Sequence, residues 1–117
     1  MTRGRFYVVG PGNEIMTVDG WKFTVSVQNG NSFEIGLYRP KWSRCWNVVE
    51  RSTGLNICIG NTRDEAVSNA VEKAPTIYRL IVDADNPEVN DPVTVRVREY
   101  RARMVKFVTK DAEQMFE

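Results

Sequence analysis

The chain has 117 residues, the usual size of one domain, and it contains no histidine. Its net charge of +1 favours no class of partner. Because catalytic triads, most proton shuttles and most zinc or iron sites use imidazole, we expect no catalytic residue, no metal and no cofactor. Carboxylates, lysine or tyrosine would remain as acids or bases, but the acidic residues lie mostly in turns with no recognisable spacing. The composition therefore predicts a protein that is not an enzyme.

The clearest strand signals are two alternating runs, 21–28 and 33–38, joined by the Asn-Gly pair at 29–30. Apolar side chains occupy every second position of each run, and an Asn-Gly pair accepts the positive φ angles of a tight hairpin turn. The apolar sides of both runs are predicted to face one core. Gly36 and Tyr38 fall on the opposite side and are predicted to face solvent.

A second hairpin and a short first strand complete the predicted sheet. Residues 45–59 alternate about a turn at 52–54, and the apolar run 6–9 precedes a glycine-rich turn. The pattern predicts an α+β domain, spanning residues 1–117, that begins with an antiparallel sheet of about five strands and continues with two C-terminal helices.

The first helix is predicted just after the sheet. Thr62 and Glu65 have the spacing of a capping box, and the apolar stripe that follows predicts a helix from about 62 to 74. Pro75 ends or kinks this helix. Residues 76–82 fit either a second helical stretch or a buried strand, and the continuing stripe favours a helix.

A long amphipathic helix is predicted near the C-terminus, with Asp91 as its cap and Pro92 at its first position. Residues 92–97 also alternate like a strand, whereas the segment from Val97 onwards fits a helix better. One helical face is predicted to pack on the sheet or across a dimer, and it holds Val97, Tyr100, Met104, Phe107, Val108 and Met115. A flanking face, within roughly 80° on the helical wheel, holds Arg96, Arg103, Lys106 and Lys110.

The arginines of this helix have two interpretations. Charged runs often form a solvated face, but a guanidinium fork also binds phosphate in a bidentate manner, and Arg98, Arg101 and Arg103 are the predicted ligand-binding members. Trp42, in a basic link, is either a platform on which a base or a partner stacks or a lid over the sheet edge. Trp21 and Trp46 fit a core better than a ligand platform.

Segments 46–55 and 60–66 resemble small phage and bacterial proteins in which a Trp-bearing strand, a Thr-Gly turn, a second strand and a Thr-Arg-x-Glu-Ala helix start follow one another. Similar patterns occur in ethylene-response-type DNA-binding domains and in antitoxin-like domains. The layout with an Arg-rich last helix resembles phage anti-Thoeris proteins, which sequester cyclic ADP-ribose-type signals without cleaving them. That resemblance implies a homo-oligomer that holds phosphates with arginines and the adenine with an aromatic residue. The residues it implies are Arg51, Asn86 and Arg103, with Tyr78 or Trp46 as the aromatic.

We therefore expect a non-enzymatic protein that binds a small phosphorylated ligand, a nucleotide signal. The alternatives are a nucleic-acid-binding module that uses the basic C-terminal helix, and a protein-binding inhibitor or accessory factor of a mobile element. The near-neutral charge and the acidic loop at 83–91 argue against nucleic acid.

The location expected from the sequence is the cytoplasm, or the host cytoplasm if the protein is phage-encoded, with no membrane partner. The first residues lack the apolar stretch of a signal peptide, and no run is long enough to cross a membrane. Cys45 and Cys58 are interpreted as small buried residues, and the alternative is a cross-strand contact that oxidises outside the cytosol.

Overall fold

The computed structural model describes residues 1–115 and shows five strands followed by two helices. This arrangement confirms the predicted α+β class. The strands and helices are β1 (Thr2–Val9), β2 (Ile15–Ser26), β3 (Ser32–Tyr38), β4 (Trp46–Glu50), β5 (Asn56–Gly60), α1 (Arg63–Ala84) and α2 (Pro92–Met115).

The strands form one antiparallel sheet whose spatial order follows the chain order from β1 to β5. Asn29 and Gly30 turn the chain between β2 and β3 with φ angles of 65° and 74°, and Gly54 turns it between β4 and β5 with a φ of 75°. These residue types tolerate the left-handed region, so both predicted hairpins are confirmed at their turns.

The first core lies between α1 and the face of the sheet that carries the alternating apolar side chains. Ile35, Leu37 and Val48 are fully buried at its centre, and Trp21 and Trp46 pack around it while partly exposed. The helix contributes small side chains, which let its backbone approach the sheet closely. These are Ala66, Ala70 and Ala74.

A second core occupies the opposite face, where Gly36 and Tyr38 were predicted to face solvent. That prediction is wrong, because the long β1–β2 hairpin folds back over this face and leaves Tyr38 only 4% exposed. The Phe6 ring lies directly on Gly36, where an added Cβ would come within 2.4 Å of it. A hydrogen bond of 2.8 Å from the Val9 amide to the Gly54 carbonyl joins the end of β1 to the β4–β5 turn.

Helix α1 begins at the predicted cap and continues ten residues past the predicted end. The Thr62 hydroxyl accepts a hydrogen bond from the Glu65 amide at 3.1 Å, as the capping-box spacing indicates. Pro75 does not end the helix, although it removes one backbone hydrogen bond. Ile77 and Ile81 pack against the first core beyond it, and this burial holds the second half in place. The favoured helical assignment of 76–82 is thus confirmed.

Helix α2 begins at Pro92, which settles residues 92–97 as helix. One Asp91 oxygen accepts the amides of Val93 and Thr94 at 3.1 and 3.0 Å, and the other accepts the buried Thr94 hydroxyl at 2.7 Å. These bonds favour the charged carboxylate, and the hydroxyl bond from Thr94 contributes most to a lowered pKa of Asp91.

The outer edge of β5 is covered by side chains of α1. The Asn69 amide donates to the Ile59 carbonyl at 2.9 Å, and the Lys73 ammonium reaches the Ile57 carbonyl at 3.5 Å. Two edge carbonyls of the last strand therefore have partners from the helix beside it.

The predicted apolar face of α2 is only partly covered. Met104 is 4% exposed and packs against the β4–β5 turn at Gly54, as expected for a face that rests on the sheet. Phe107 and Val108 remain 38% and 37% exposed, although the Phe107 ring meets the Tyr7 ring edge to face. The side chain of Met115, also assigned to this face, lies outside the part that the structure describes.

Replacing Phe107 with alanine is therefore expected to lower the free energy of unfolding by about 1–2 kcal/mol, against about 3–5 kcal/mol for a fully buried phenylalanine. Urea unfolding of the purified protein measures the difference. A loss of about 3 kcal/mol or more would mean that something else covers the ring. A dependence of stability on protein concentration would then identify a second copy as that cover.

Candidate anion-binding groove

Two of the predicted ligand-binding arginines, Arg98 and Arg101, donate hydrogen bonds to backbone carbonyls at the end of α1 and just after it. Arg98 donates four hydrogen bonds, which reach the Ala84 carbonyl at 3.1 Å, the Asn86 carbonyl at 3.0 Å, the Val89 carbonyl at 2.8 Å and the Asn90 side chain at 3.2 Å. The last carbonyls of a helix lack helical partners, so this guanidinium caps α1 and fixes the link to α2.

Arg101 makes a similar connection one turn earlier on α1. It donates to the Ile81 carbonyl at 3.0 Å and forms an ion pair with the Asp85 carboxylate. Its Nε atom is buried and has no hydrogen-bond partner among the described residues. The guanidinium therefore joins the two helices through contacts within the protein.

Asn86 belongs to the same link between the helices. Its carbonyl accepts from Arg98, and its side-chain oxygen accepts the Glu88 amide at 3.0 Å in a local turn. The side-chain oxygen of Asn86 therefore already has a hydrogen-bond donor within the protein.

The remaining predicted residues lie away from this link between the helices. Arg51 follows β4 and pairs with Glu34 at 3.2 Å beside a cavity of about 540 Å³, lined also by Lys22. Tyr78 on α1 and Trp46 on β4 both pack against the first core. The structure therefore does not bring the seven residues proposed from the sequence together in one site.

Arg103 is different, since it lies on the other side of α2 and faces the β1–β2 turn. Its guanidinium donates to the Asn13 carbonyl, and the hydroxyl of Tyr100 donates to the Asn13 side-chain oxygen at 2.7 Å. Asn13 has a φ of 65°, which holds both oxygens towards the helix. The sequence analysis missed Asn13. It lies 87 positions before Tyr100, and only the folded geometry of the β1–β2 turn places it beside α2.

Two adjoining pockets of about 430 and 460 Å³ share Arg103 and form one groove between α2 and the β1–β2 turn. We call this the α2 groove. The four basic residues that the helical wheel places on one face all line it. The lining side chains used below are Arg96, Tyr100, Arg103, Lys106, Phe107 and Lys110, opposite Asn13, Glu14 and Ile15.

The α2 groove is positively charged overall. Four basic side chains face two carboxylates, Glu14 and Glu99. Within the described residues, Arg96, Arg103 and Lys106 take part in none of the ion pairs. Their charges are thus available to an anion that enters the groove.

Tyr7 anchors the far end of α2 beside the groove. Its hydroxyl donates to an Asp111 oxygen at 2.6 Å, and its ring meets Phe107 edge to face with centroids 5.7 Å apart. The hydrogen bond to the carboxylate, together with burial and its negative charge, raises the pKa of Tyr7. The contact orients the Phe107 ring at the mouth of the groove.

The two cysteines are free, with Cys45 half-buried and Cys58 buried, where burial raises the pKa of the Cys58 thiol. The described part of the chain contains no group of three or more Cys, Asp or Glu side chains placed to hold a metal ion. None of the helices in residues 1–115 combines the length and the apolar character that crossing a membrane requires.

Compared with protein-family models, curated proteins and solved structures, the chain has no significant match to any of them.

Proposed function

We propose that the protein is a non-enzymatic binding protein for a small phosphorylated ligand, and that the ligand occupies the α2 groove. The observation that carries this proposal is the position of Arg103, shared by two adjoining pockets with an aromatic side chain in each, Tyr100 in one and Phe107 in the other. A cation between two ring surfaces suits a ligand with a phosphate in the middle and a ring at one end.

The size and charge of the groove support the same class of ligand. Pockets of about 430 and 460 Å³ fall within the usual range for small-molecule sites. Among the described residues Arg103 donates one hydrogen bond, to the Asn13 carbonyl, which leaves other guanidinium N–H groups to donate to phosphate oxygens. Lys106 lies one turn further along the same wall and adds a second charge.

Within this proposal the ligand is a nucleotide signal of the cyclic ADP-ribose type, and the protein acts by sequestration in the cytoplasm, as a phage anti-defence protein in its host. The resemblance to anti-Thoeris proteins suggests this ligand and a homo-oligomeric state. The groove adds a physical reason, because an adenine ring has a π face for Tyr100 or Phe107 and a pyrophosphate has charges for Arg103.

The charge reversal Arg103→Glu is expected to weaken nucleotide binding by about tenfold or more, because a charge-assisted bond is replaced by a repulsive carboxylate. Calorimetry with ADP-ribose and with its cyclic form measures the affinity. Arg79→Glu is the matched control, since Arg79 is an exposed arginine of α1 outside the groove, and it should bind like the original protein.

Mass spectrometry of small molecules released by heating the purified protein identifies the natural ligand in parallel. Equal affinity in the Arg103 and Arg79 variants would mean that the ligand binds outside the α2 groove. A protein that binds neither probe and releases no phosphorylated molecule would contradict the proposed function as a whole.

A further inference from the structure

The link between β3 and β4 presents the most exposed tryptophan of the chain. Trp42 is 54% exposed, whereas Trp21 and Trp46 are partly buried against the first core. The link is not loose, because buried Pro40 anchors it and the Ser43 amide donates to the Pro40 carbonyl at 3.2 Å. A large apolar ring is thus held more than half in solvent by a hydrogen-bonded turn, and this exposure favours the platform interpretation.

Trp42 is surrounded by cations. Arg39, Lys41 and Arg44 flank it in the sequence, all three are exposed, and no acidic residue occurs between positions 35 and 49. Within the described residues none of the three forms an ion pair. The loop therefore combines an accessible ring with three uncompensated positive charges.

Two more arginines lie at the same end of the sheet as this link, as the strand register shows. The Cys45 thiol contacts the Asn61 side chain at 3.8 Å, which joins the loop to the start of α1 at Arg63. Arg63 and Arg3 each place the guanidinium carbon 5.4 Å from the centroid of the Trp21 ring. We call the whole set the Trp42 surface, and it comprises Trp42, Arg3, Arg39, Lys41, Arg44 and Arg63.

Three carboxylates lie near these cations in the sheet register or in the sequence, and two of them already have partners. Asp19 pairs with Arg5 at 3.1 Å, and Glu65 accepts the Asn61 amide at 3.3 Å. Asp64, beside Arg63 in the first turn of α1, is the third. The Trp42 surface keeps a net positive charge even when all three are counted against its five cations and Arg5.

We propose that the Trp42 surface binds single-stranded nucleic acid, with a base stacked on the Trp42 indole and the backbone phosphates on the flanking cations. A flexible strand offers unpaired base faces to an exposed ring, which a duplex hides within its own stack. The carboxylates of an acidic peptide would satisfy the cations, but they do not stack on the indole. This site is distinct from the α2 groove and does not depend on the proposed function.

The test is fluorescence anisotropy with a labelled oligothymidylate of about twelve nucleotides, a length that covers a typical single-strand site. Trp42→Ala is expected to weaken binding by about 5- to 150-fold, and Trp42→Phe should retain most of the affinity because a ring remains. Neutralising Arg39, Lys41 and Arg44 together should reduce the slope of log affinity against log salt by about 2, at roughly 0.7 per phosphate contact.

A double charge reversal in the α2 groove, Lys106→Glu with Lys110→Glu, is the matched control and should leave oligonucleotide binding nearly unchanged. The proposal is overturned if the oligonucleotide fails to bind at low salt, if Trp42→Ala binds as tightly as the original protein, or if a polyglutamate peptide binds in its place. Loss of binding in the groove variant alone would assign nucleic acid to α2. Calorimetry with ADP-ribose on the Trp42 variants separates this outcome from a failure of the small-ligand site.

Discussion

Truncation of Phe6 to alanine is expected to lower the free energy of unfolding by about 4 kcal/mol, the largest effect of any single change considered for this protein. Phe6 is 3% exposed and fills the space between the β1–β2 hairpin and the rest of the sheet. Its ring lies on Gly36 and meets Tyr38 edge to face, with centroids 6.0 Å apart. Removal of the ring leaves a cavity that the surrounding backbone of a paired sheet cannot close.

The same packing predicts an unusual coupling with Gly36. Gly36→Ala alone should destabilise the protein by about 1–3 kcal/mol, because the new methyl group would overlap the Phe6 ring. In the Phe6→Ala background the methyl group enters the vacated space, so the second substitution should cost much less. Urea unfolding of the original protein, the two single variants and the double variant gives the coupling energy. Phe107→Ala serves as a control for a partly exposed ring. Strict additivity would contradict the contact between ring and glycine.

Replacement of Arg98 by alanine is expected to cost about 3 kcal/mol of stability, and a fall of roughly 10 °C in Tm for a domain of this size. The change removes four hydrogen bonds and leaves the carbonyls of Ala84 and Val89 without their side-chain donor, whereas the Asn86 carbonyl keeps the Val89 amide at 3.1 Å. Ala84 is 5% exposed, so water replaces the guanidinium poorly at that carbonyl.

Arg98→Lys should recover only part of the loss, because one ammonium cannot reach acceptors that the planar fork contacts at the same time. Arg96→Ala is the control, since Arg96 is an exposed arginine of the same helix, and it should change stability by less than about 0.5 kcal/mol. Thermal unfolding followed by circular dichroism measures all three. A stable Arg98→Ala protein that has lost nucleotide affinity would instead favour a ligand role for this arginine.

Local signals accounted for much of the fold. The Asn-Gly turn, the Thr62 cap and the Asp91 cap each depend on residues within a few positions of one another, so the sequence contains all that is needed to predict them. The basic face of α2 was predicted for the same reason, because a helical wheel uses only the spacing along one helix.

The sequence predictions that were wrong concern residues whose surroundings depend on long-range packing. Tyr38 alternates as a solvent-facing residue should, and its burial depends on the β1–β2 hairpin, whose Phe6 lies 32 positions before it in the chain. In the same way, the sequence does not show whether an arginine meets a ligand or a carbonyl. Arg98 and Arg103 belong to one cluster in the sequence, yet one caps α1 and the other lines the α2 groove, according to what lies opposite each side of the helix.

The covered edge of β5 has a consequence for how copies of the chain meet. An open strand edge is a template on which a second chain can add, and repeated addition of this kind leads to fibrous aggregates. Asn69 and Lys73 occupy the carbonyls of Ile59 and Ile57 that an incoming strand would need, although Ile59 itself is 51% exposed and would favour such pairing. Helix α1 therefore blocks the addition of a strand at this edge. Any ordered oligomer is expected to assemble through another surface.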